Sequence, residues 1–431
     1  MKFVTTSKTC RFGVEGCDNS SVMDFLADQT YVVPDFITHG IACEMRELSG
    51  HVRISGTGHY IRPYCGQDLR GKRLLAWRGC GIGDQLMWAG LLVAIQHRFP
   101  TCQIVNLCAG NIAHHLWAGA DLPFQTATYP MPREEWDACD YHLIGDALCE
   151  ADREPDQPDV WTGMFRRAGI ENMLPDALSP APSSPPHHST IPPFHHSTPF
   201  TPAPLTPLRQ VDRLFAHEWL ASHSPAGSAG FQPASSPPSP SSPPFEVRSS
   251  TFDVRRSHLV WQLSASSPIR TYSPWATADA LALLVATFAS THDIIVLGTR
   301  RDREEFATAL QTPGIIIADE LELRQGMALV AAAAALIAPD SCMGHLAQAE
   351  NTPTISLWGS FLPQDRVGYY SVHHPLVGDP AACDRAPCRA HEPGKPQGCP
   401  RCGEDPRACR YCAVLATITP AAIVAKLQEI L

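Results

Sequence analysis

Residues 337–359, Ile-Ala-Pro-Asp-Ser-Cys-Met-Gly-His-Leu-Ala-Gln-Ala-Glu-Asn-Thr-Pro-Thr-Ile-Ser-Leu-Trp-Gly, constrain the fold more than any other stretch. They read as strand, turn, helix, turn, strand, the unit of a parallel sheet. Asp340, Ser341 and His345 sit where the first strand stops and the helix begins. A helix start offers unpaired backbone N–H groups and a positive dipole end, so it suits an anion such as a diphosphate. A second Gly-rich strand-to-helix turn, Arg78-Gly79-Cys80-Gly81-Ile82-Gly83-Asp84, lies far upstream. Two such turns predict two Rossmann-like α/β halves.

The chain has 431 residues, enough for two domains of ordinary size. Its net charge of −10, with no dense Lys/Arg stripe, argues against a nucleic-acid partner. No stretch reaches the ~18 apolar residues that a membrane span needs. The start, Met-Lys-Phe-Val-Thr-Thr-Ser-Lys, is too polar for a secretory signal, so the expected location is cytoplasmic.

Residues 1–70 hold short apolar runs, Thr30 to Ile37 and His51 to Ile54, and predict short strands. The first α/β half, residues 71–180, opens with a strand over Lys72–Trp77, a helix over Asp84–Phe99 and a strand over Gln103–Leu107. Further strands are expected at Phe124–Thr128 and Tyr141–Ile144. Residues 181–257 are Pro/Ser-rich, and two short repeats there (His187 to Phe194, Phe245 to Ser250) mark low-complexity insertions, expected to be disordered. Between them a helix is expected over 208–221, with Val211, Leu214, Phe215 and Leu220 on one face. The second half, 258–415, alternates strand and helix: His258–Leu263, Thr277–Ser290, Asp293–Leu297, Asp302–Leu310, Gly314–Ala318 and Arg324–Ala335, then the motif at 337–359. A final segment, 416–431, has Thr419 at N-cap and Pro420 at N1 of a helix.

Arg-x-Gly-x-Gly-x-Gly-Asp in the first half, and Asp-Ser-x-x-x-His-Leu-Ala-x-Ala with a following Pro-x-x-x-Leu-x-Gly strand in the second, resemble the ADP-heptose:lipopolysaccharide heptosyltransferases of glycosyltransferase family 9. The resemblance spans roughly residues 71–175 and 258–431. It implies a GT-B fold, two doubly wound α/β domains facing a central cleft. It also implies inverting, metal-independent transfer of a sugar from a nucleotide diphosphate, ADP-linked by preference, to a glycan or lipid-linked acceptor. A lipid-linked acceptor leaves room for peripheral membrane contact. The chain departs from the family pattern where Cys342 and Met343 replace Gly and Pro, and where Arg270, ahead of Trp275, stands in a loop that commonly carries Lys.

On this reading Asp84 is the general base, against the plainer role of an aspartate stabilising a helix start. Gly81 and Gly83 let the backbone approach a ligand, or simply make a tight turn. His345, with backbone N–H groups near Ser341, Cys342 and Met343, could donate to a diphosphate; the alternative is a satisfied half-buried histidine. Asp340 orients the turn or caps the helix. Arg270 could balance diphosphate charge, with Ser266 a weaker member of the pocket. Gly298, after a strand, could let a base or ribose pass close. Cys399, Cys402, Cys409 and Cys412 form two Cys-x2-Cys knuckles, a standard way to place thiolates on a structural zinc, across a six-residue spacer shorter than in most zinc ribbons; free thiols or a redox pair are the alternative, and an iron–sulfur cluster a lesser one. A closed site of that kind takes no part in catalysis, which needs no cofactor here. Two rivals remain: a GT-B protein that binds a nucleotide sugar but has lost transfer, its cysteine segment docking a partner, and a sugar-nucleotide epimerase, for which no extra acid/base set is visible.

Overall fold

Apolar runs bounded by glycine and proline form strands in the computed structural model, which describes residues 2–6, 10–13, 22–33, 52–56, 62–64, 66–79, 81–145, 160–168, 170, 173, 204–223, 257–384, 386–389 and 411–431. They divide into two units. Unit 1 is Met1–Arg209 with Gln348–Glu350 and Leu362–Ser371; unit 2 is Gln210–Ala347, Asn351–Phe361 and Val372–Leu431. Most of the Pro/Ser-rich insertions lie outside the described residues.

Unit 1 contains β1 (Lys2–Thr6), β2 (Cys10–Gly13), β3 (Val22–Phe25), β4 (Thr30–Val33), β5 (Val52–Gly56), β6 (Arg73–Trp77), β7 (Gln103–Cys108), β8 (Gln125–Thr128), β9 (Met131–Pro132) and β10 (Tyr141–Ile144). The expected short strands of the first 70 residues are present, with β2 and β3 as a hairpin. The others join an antiparallel sheet in the order β5-β1-β4-β9. Met131 pairs with Val32, which ties this extension to the α/β part. The second sheet, β10-β6-β7-β8, is parallel. Leu74, Leu75, Ala76 and Trp77 on its central strand are fully buried, as a two-sided parallel strand requires. Helix α1 (Ile82–Arg98) follows β6 and buries Leu86, Leu91 and Ile95. Helix α2 (Val160–Arg167) comes later in the unit.

Unit 2 opens with α3 (Gln210–His223), then β11 (Ser257–Gln262), α4 (Pro274–Phe288), β12 (His292–Leu297), β13 (Ile315–Ala318), α5 (Leu323–Ala331), β14 (Ala335–Pro339), α6 (Cys342–Glu350), β15 (Thr354–Trp358), β16 (His373–Val377) and α7 (Pro420–Ile430). The last residues of α6 fall in unit 1. All six strands are parallel, in the order β13-β12-β11-β14-β15-β16. Their core includes Leu259, Trp261, Ile294, Val296, Ile337 and Leu357, closed by Leu281 and Leu284 of α4 and Ile423 and Leu427 of α7. Thr419 caps α7 as expected, its side chain accepting from the Ala422 N–H.

Two local expectations need correction. The inward face of α3 is not Val211 and Leu214, which are 56% and 54% exposed, but Asp212 and Ala216, which are buried. Arg324 in the first turn of α5 reaches Asp212 at 3.9 Å, and this polar contact, not the apolar stripe, accompanies the helix's orientation. The helix expected over Asp302–Leu310 is two short pieces, Asp302–Glu305 and Ala307–Leu310, because fully buried Phe306 leaves helical geometry between them.

Histidines whose protonation is disfavoured by burial, His142, His258 and His373 among them, make stability depend on pH. His142 stacks on Trp136 at 4.2 Å in unit 1, and burial pushes its pKa down to about 4; burial does the same to His373 in unit 2. Unfolded, each titrates near ~6.5. Between those values the unfolded chain binds more protons, so stability is full above ~6.5 and is lost as pH falls toward 4. Urea unfolding followed from pH 7.5 to 4.5 should show the loss, and His142→Gln should make it shallower by that residue's share.

Candidate active site

In unit 2 the chain leaves β11 toward β12 on one side, and later adds β15 and β16 outward from β14 on the other. The crevice beyond the C-terminal ends of β11 and β14 is therefore a topological switch point, where open α/β sheets take ligands. Gln262 ends β11, and Asp340 and Ser341 follow β14. The Ser341 hydroxyl donates to Gln262 Oε1 at 2.5 Å, and Gln262 Nε2 donates to the Ser264 carbonyl at 2.9 Å. Helix α6 begins at the next residue, with Met343 and His345 buried near its start.

Arg270 ends a short 3-10 turn, Pro268–Arg270, in the loop after β11. Its Nη1 lies 3.4 Å from Asp340 Oδ2 and donates to the Asp340 carbonyl at 3.3 Å, while Nη2 donates to the Ser266 hydroxyl. The guanidinium is thus built into the crevice and is no solvated surface charge. His373 at the start of β16 donates from Nε2 to the Gly344 carbonyl in the first turn of α6, at 3.0 Å. Burial, reinforced by His345 and His374, disfavours its protonation, so it serves as a neutral prop for that turn.

Ser266, Arg270, Asp340, Ser341, Met343 and His345 therefore gather around one helix start. Gly298 follows β12, and a Cβ there would meet Leu263 Cδ1 at 2.8 Å and Asp302 Oδ2 at 3.3 Å, so packing by itself calls for glycine. Trp275 is 63% exposed and packs edge-on against Tyr411. Sequence reasoning missed Gln262 and His373; a polar residue closing an otherwise apolar strand was the one signal for Gln262.

Gly81, Gly83 and Asp84 belong to unit 1, apart from the other donor candidates. Gly81 is the N-cap of α1 and Asp84 lies in the first turn, where the helix dipole favours a carboxylate. Asp84 Oδ1 accepts from Arg78 Nη2 at 2.8 Å. Cys399, Cys402 and Cys409 lie outside the described residues. Cys412 is half-buried; burial lifts its thiol to about 11, with smaller contributions from Cys388 and Cys383. Among the described residues no group of three His, Cys, Asp or Glu side chains could hold a metal ion.

Residues 241–389 match the family model of glycosyltransferase family 9 (heptosyltransferase). The ADP-heptose lps heptosyltransferase II of E. coli superposes with a TM-score of 0.52 at 14% identity, over 83% of this chain and 98% of that one. A family 9 glycosyl transferase from Veillonella parvula gives 0.53 at 11%, over 85% and 98%. The iron-containing heptosyltransferase TibC, in complex with ADP-D-beta-D-heptose, gives 0.53 at 12%, over 100% and 91%.

Over residues 241–389 the chain is similar to glycosyltransferase family 9.

No curated protein matches the sequence. At these identities the solved structures carry the fold, which is that of the GT-B heptosyltransferases. No helix among the described residues of this family 9-like chain is long and apolar enough to cross a membrane.

Proposed function

We propose that the chain is an inverting, metal-independent glycosyltransferase, moving a heptose or similar sugar from a nucleoside diphosphate to a hydroxyl of a glycan or lipopolysaccharide-type acceptor. The observation that carries this is the start of α6 at the switch point, with Asp340, Arg270, Ser341 and His345 around it. Helix N–H groups and a guanidinium supply fixed positive charge where a leaving diphosphate develops negative charge. Asp84 takes the acceptor proton. The acceptor oxygen forms its bond to the anomeric carbon, and the bond from that carbon to the diphosphate breaks, its electron pair leaving with the diphosphate. The ADP-heptose bound by TibC makes an ADP-linked heptose the first donor to try.

A thermal-shift screen against ADP-, UDP-, GDP- and CMP-linked sugars, followed by product detection, tests the reading. One class should stabilise the protein, and His345→Ala should weaken its binding by about tenfold, the loss of one charge-assisted hydrogen bond. No shift with any nucleotide sugar, or undiminished binding by the variant, rejects the site. Binding without turnover of any acceptor favours the inactive rival. The structural zinc at Cys399, Cys402, Cys409 and Cys412 is a separate proposal. Metal analysis of the purified protein should find one tightly held zinc, lost on replacing Cys409 and Cys412 by Ser.

A further inference from the structure

We propose that Arg78 is the positioning residue of Asp84, holding one carboxylate oxygen so that the other, beside Gly81, is the atom that receives the acceptor's proton. This rests on Asp84 as the base. Arg78 follows β6, and its side chain is wholly buried, whereas that of Asp84 is 23% exposed. The guanidinium is pinned from two directions: Nη2 donates to Asp84 Oδ1 at 2.8 Å, and Nη1 to the Met164 sulfur of α2 at 3.3 Å. Its backbone is fixed as well, since Gln85 Nε2 donates to the Arg78 carbonyl at 2.7 Å.

An aspartate that merely complements a helix dipole needs no buried cation. Burying a guanidinium is costly, and a buried ion pair roughly breaks even against apolar residues of the same volume. Stability alone therefore does not account for Arg78; orientation of the carboxylate does.

The second oxygen points to the same conclusion. A Cβ built on Gly81 would lie 3.6 Å from Asp84 Oδ2, and among the described residues beyond its chain neighbours and its own helix backbone no other atom comes within 4 Å. Gly81 is exposed, and its φ of −69° is open to any residue. The backbone does not demand glycine here, so what glycine provides is open space beside Oδ2. Arg78 fixes Oδ1 and Gly81 keeps the approach to Oδ2 clear, which is the arrangement a single proton acceptor needs.

The test compares Arg78→Gln, Arg78→Lys, Gly81→Val, Asp84→Asn and the Arg78→Gln/Asp84→Asn pair in the full chain. Turnover, KM for donor and for acceptor, and melting temperature are measured. Arg78→Gln should lower kcat by about 100-fold, the cost of a misplaced group, with donor KM unchanged. Arg78→Lys should recover part of that. On the Asp84→Asn background, Arg78→Gln should cost nothing more, because the two act as one unit. Gly81→Val should fold normally and lower kcat/KM for the acceptor. Should Arg78→Gln not fold, Arg78→Lys and Gly81→Val decide the matter. Wild-type kcat in folded Arg78 variants, or losses that multiply in the pair, overturn the assignment while leaving Asp84 as the base. An active Asp84→Asn overturns the base itself, so the two failures are told apart.

Discussion

Asp84→Asn should leave donor binding intact and slow sugar transfer by about three orders of magnitude, within the range for losing a general base. Asparagine has the same shape and can still accept from Arg78, so the loop before α1 should keep its geometry. What it cannot do is take a proton at neutral pH. The groups proposed to grip the diphosphate, Arg270 and His345, stand in the other unit and are untouched by the change. Donor affinity by calorimetry and turnover by product formation should therefore separate cleanly. A plainer role for Asp84, stabilising the helix start and pairing Arg78, predicts a different result: a loss of stability with nearly normal turnover. Near-normal turnover would remove Asp84 from the chemistry.

Much of the architecture could be read from local pattern. Strand Tyr141–Ile144 and the cap at Thr419 follow from a short apolar run and a Thr-Pro pair, signals contained within a few residues. The donor candidates from Asp340 to His345 were legible for the same reason, since a helix start is a local event. What escaped depends on partners distant in sequence. His373 supports α6 from 29 residues beyond Gly344. Gln262 meets Ser341 across 79 residues. The orientation of α3 accompanies a contact from Asp212 to Arg324, which no apolar count along the helix contains. At Gly298 packing makes a demand of its own that the sequence does not display. A glycine after a strand looks like room for a ligand, and Leu263 calls for glycine there with or without one. Arg78 was visible as part of a motif, yet nothing in the motif says that its guanidinium turns inward. Burial decides that, and burial is a property of the packed sheet.

The same dependence on packing gives the largest expected loss of stability. Gly378→Ala should destabilise unit 2 by about 3 kcal/mol or more, the upper end for overpacking. Gly378 follows β16, and its N–H donates to the Trp358 carbonyl at 3.0 Å. A Cβ there would lie 1.8 Å from the Val414 carbonyl oxygen, 2.5 Å from its carbon and 2.9 Å from Thr417 Oγ1. These are not the far ends of flexible side chains. The Val414 oxygen accepts from the Thr417 N–H at 3.1 Å and from its hydroxyl at 2.7 Å, and that hydroxyl accepts from the Asp379 N–H at 2.7 Å. Relief must come from moving the turn that leads into α7 or from moving β16. Moving β16 also shifts His373 and loosens its hold on the Gly344 carbonyl, so donor affinity should fall along with melting temperature. At about 2–4 °C per kcal/mol for a unit of this size, the midpoint should drop by roughly 6–12 °C. Gly110→Ala, where an added Cβ meets nothing within 4 Å, is the matched control and should melt close to the unmodified chain. Equal midpoints for the two variants would mean that the turn into α7 yields freely, and that β16 is not what holds the start of α6 in place.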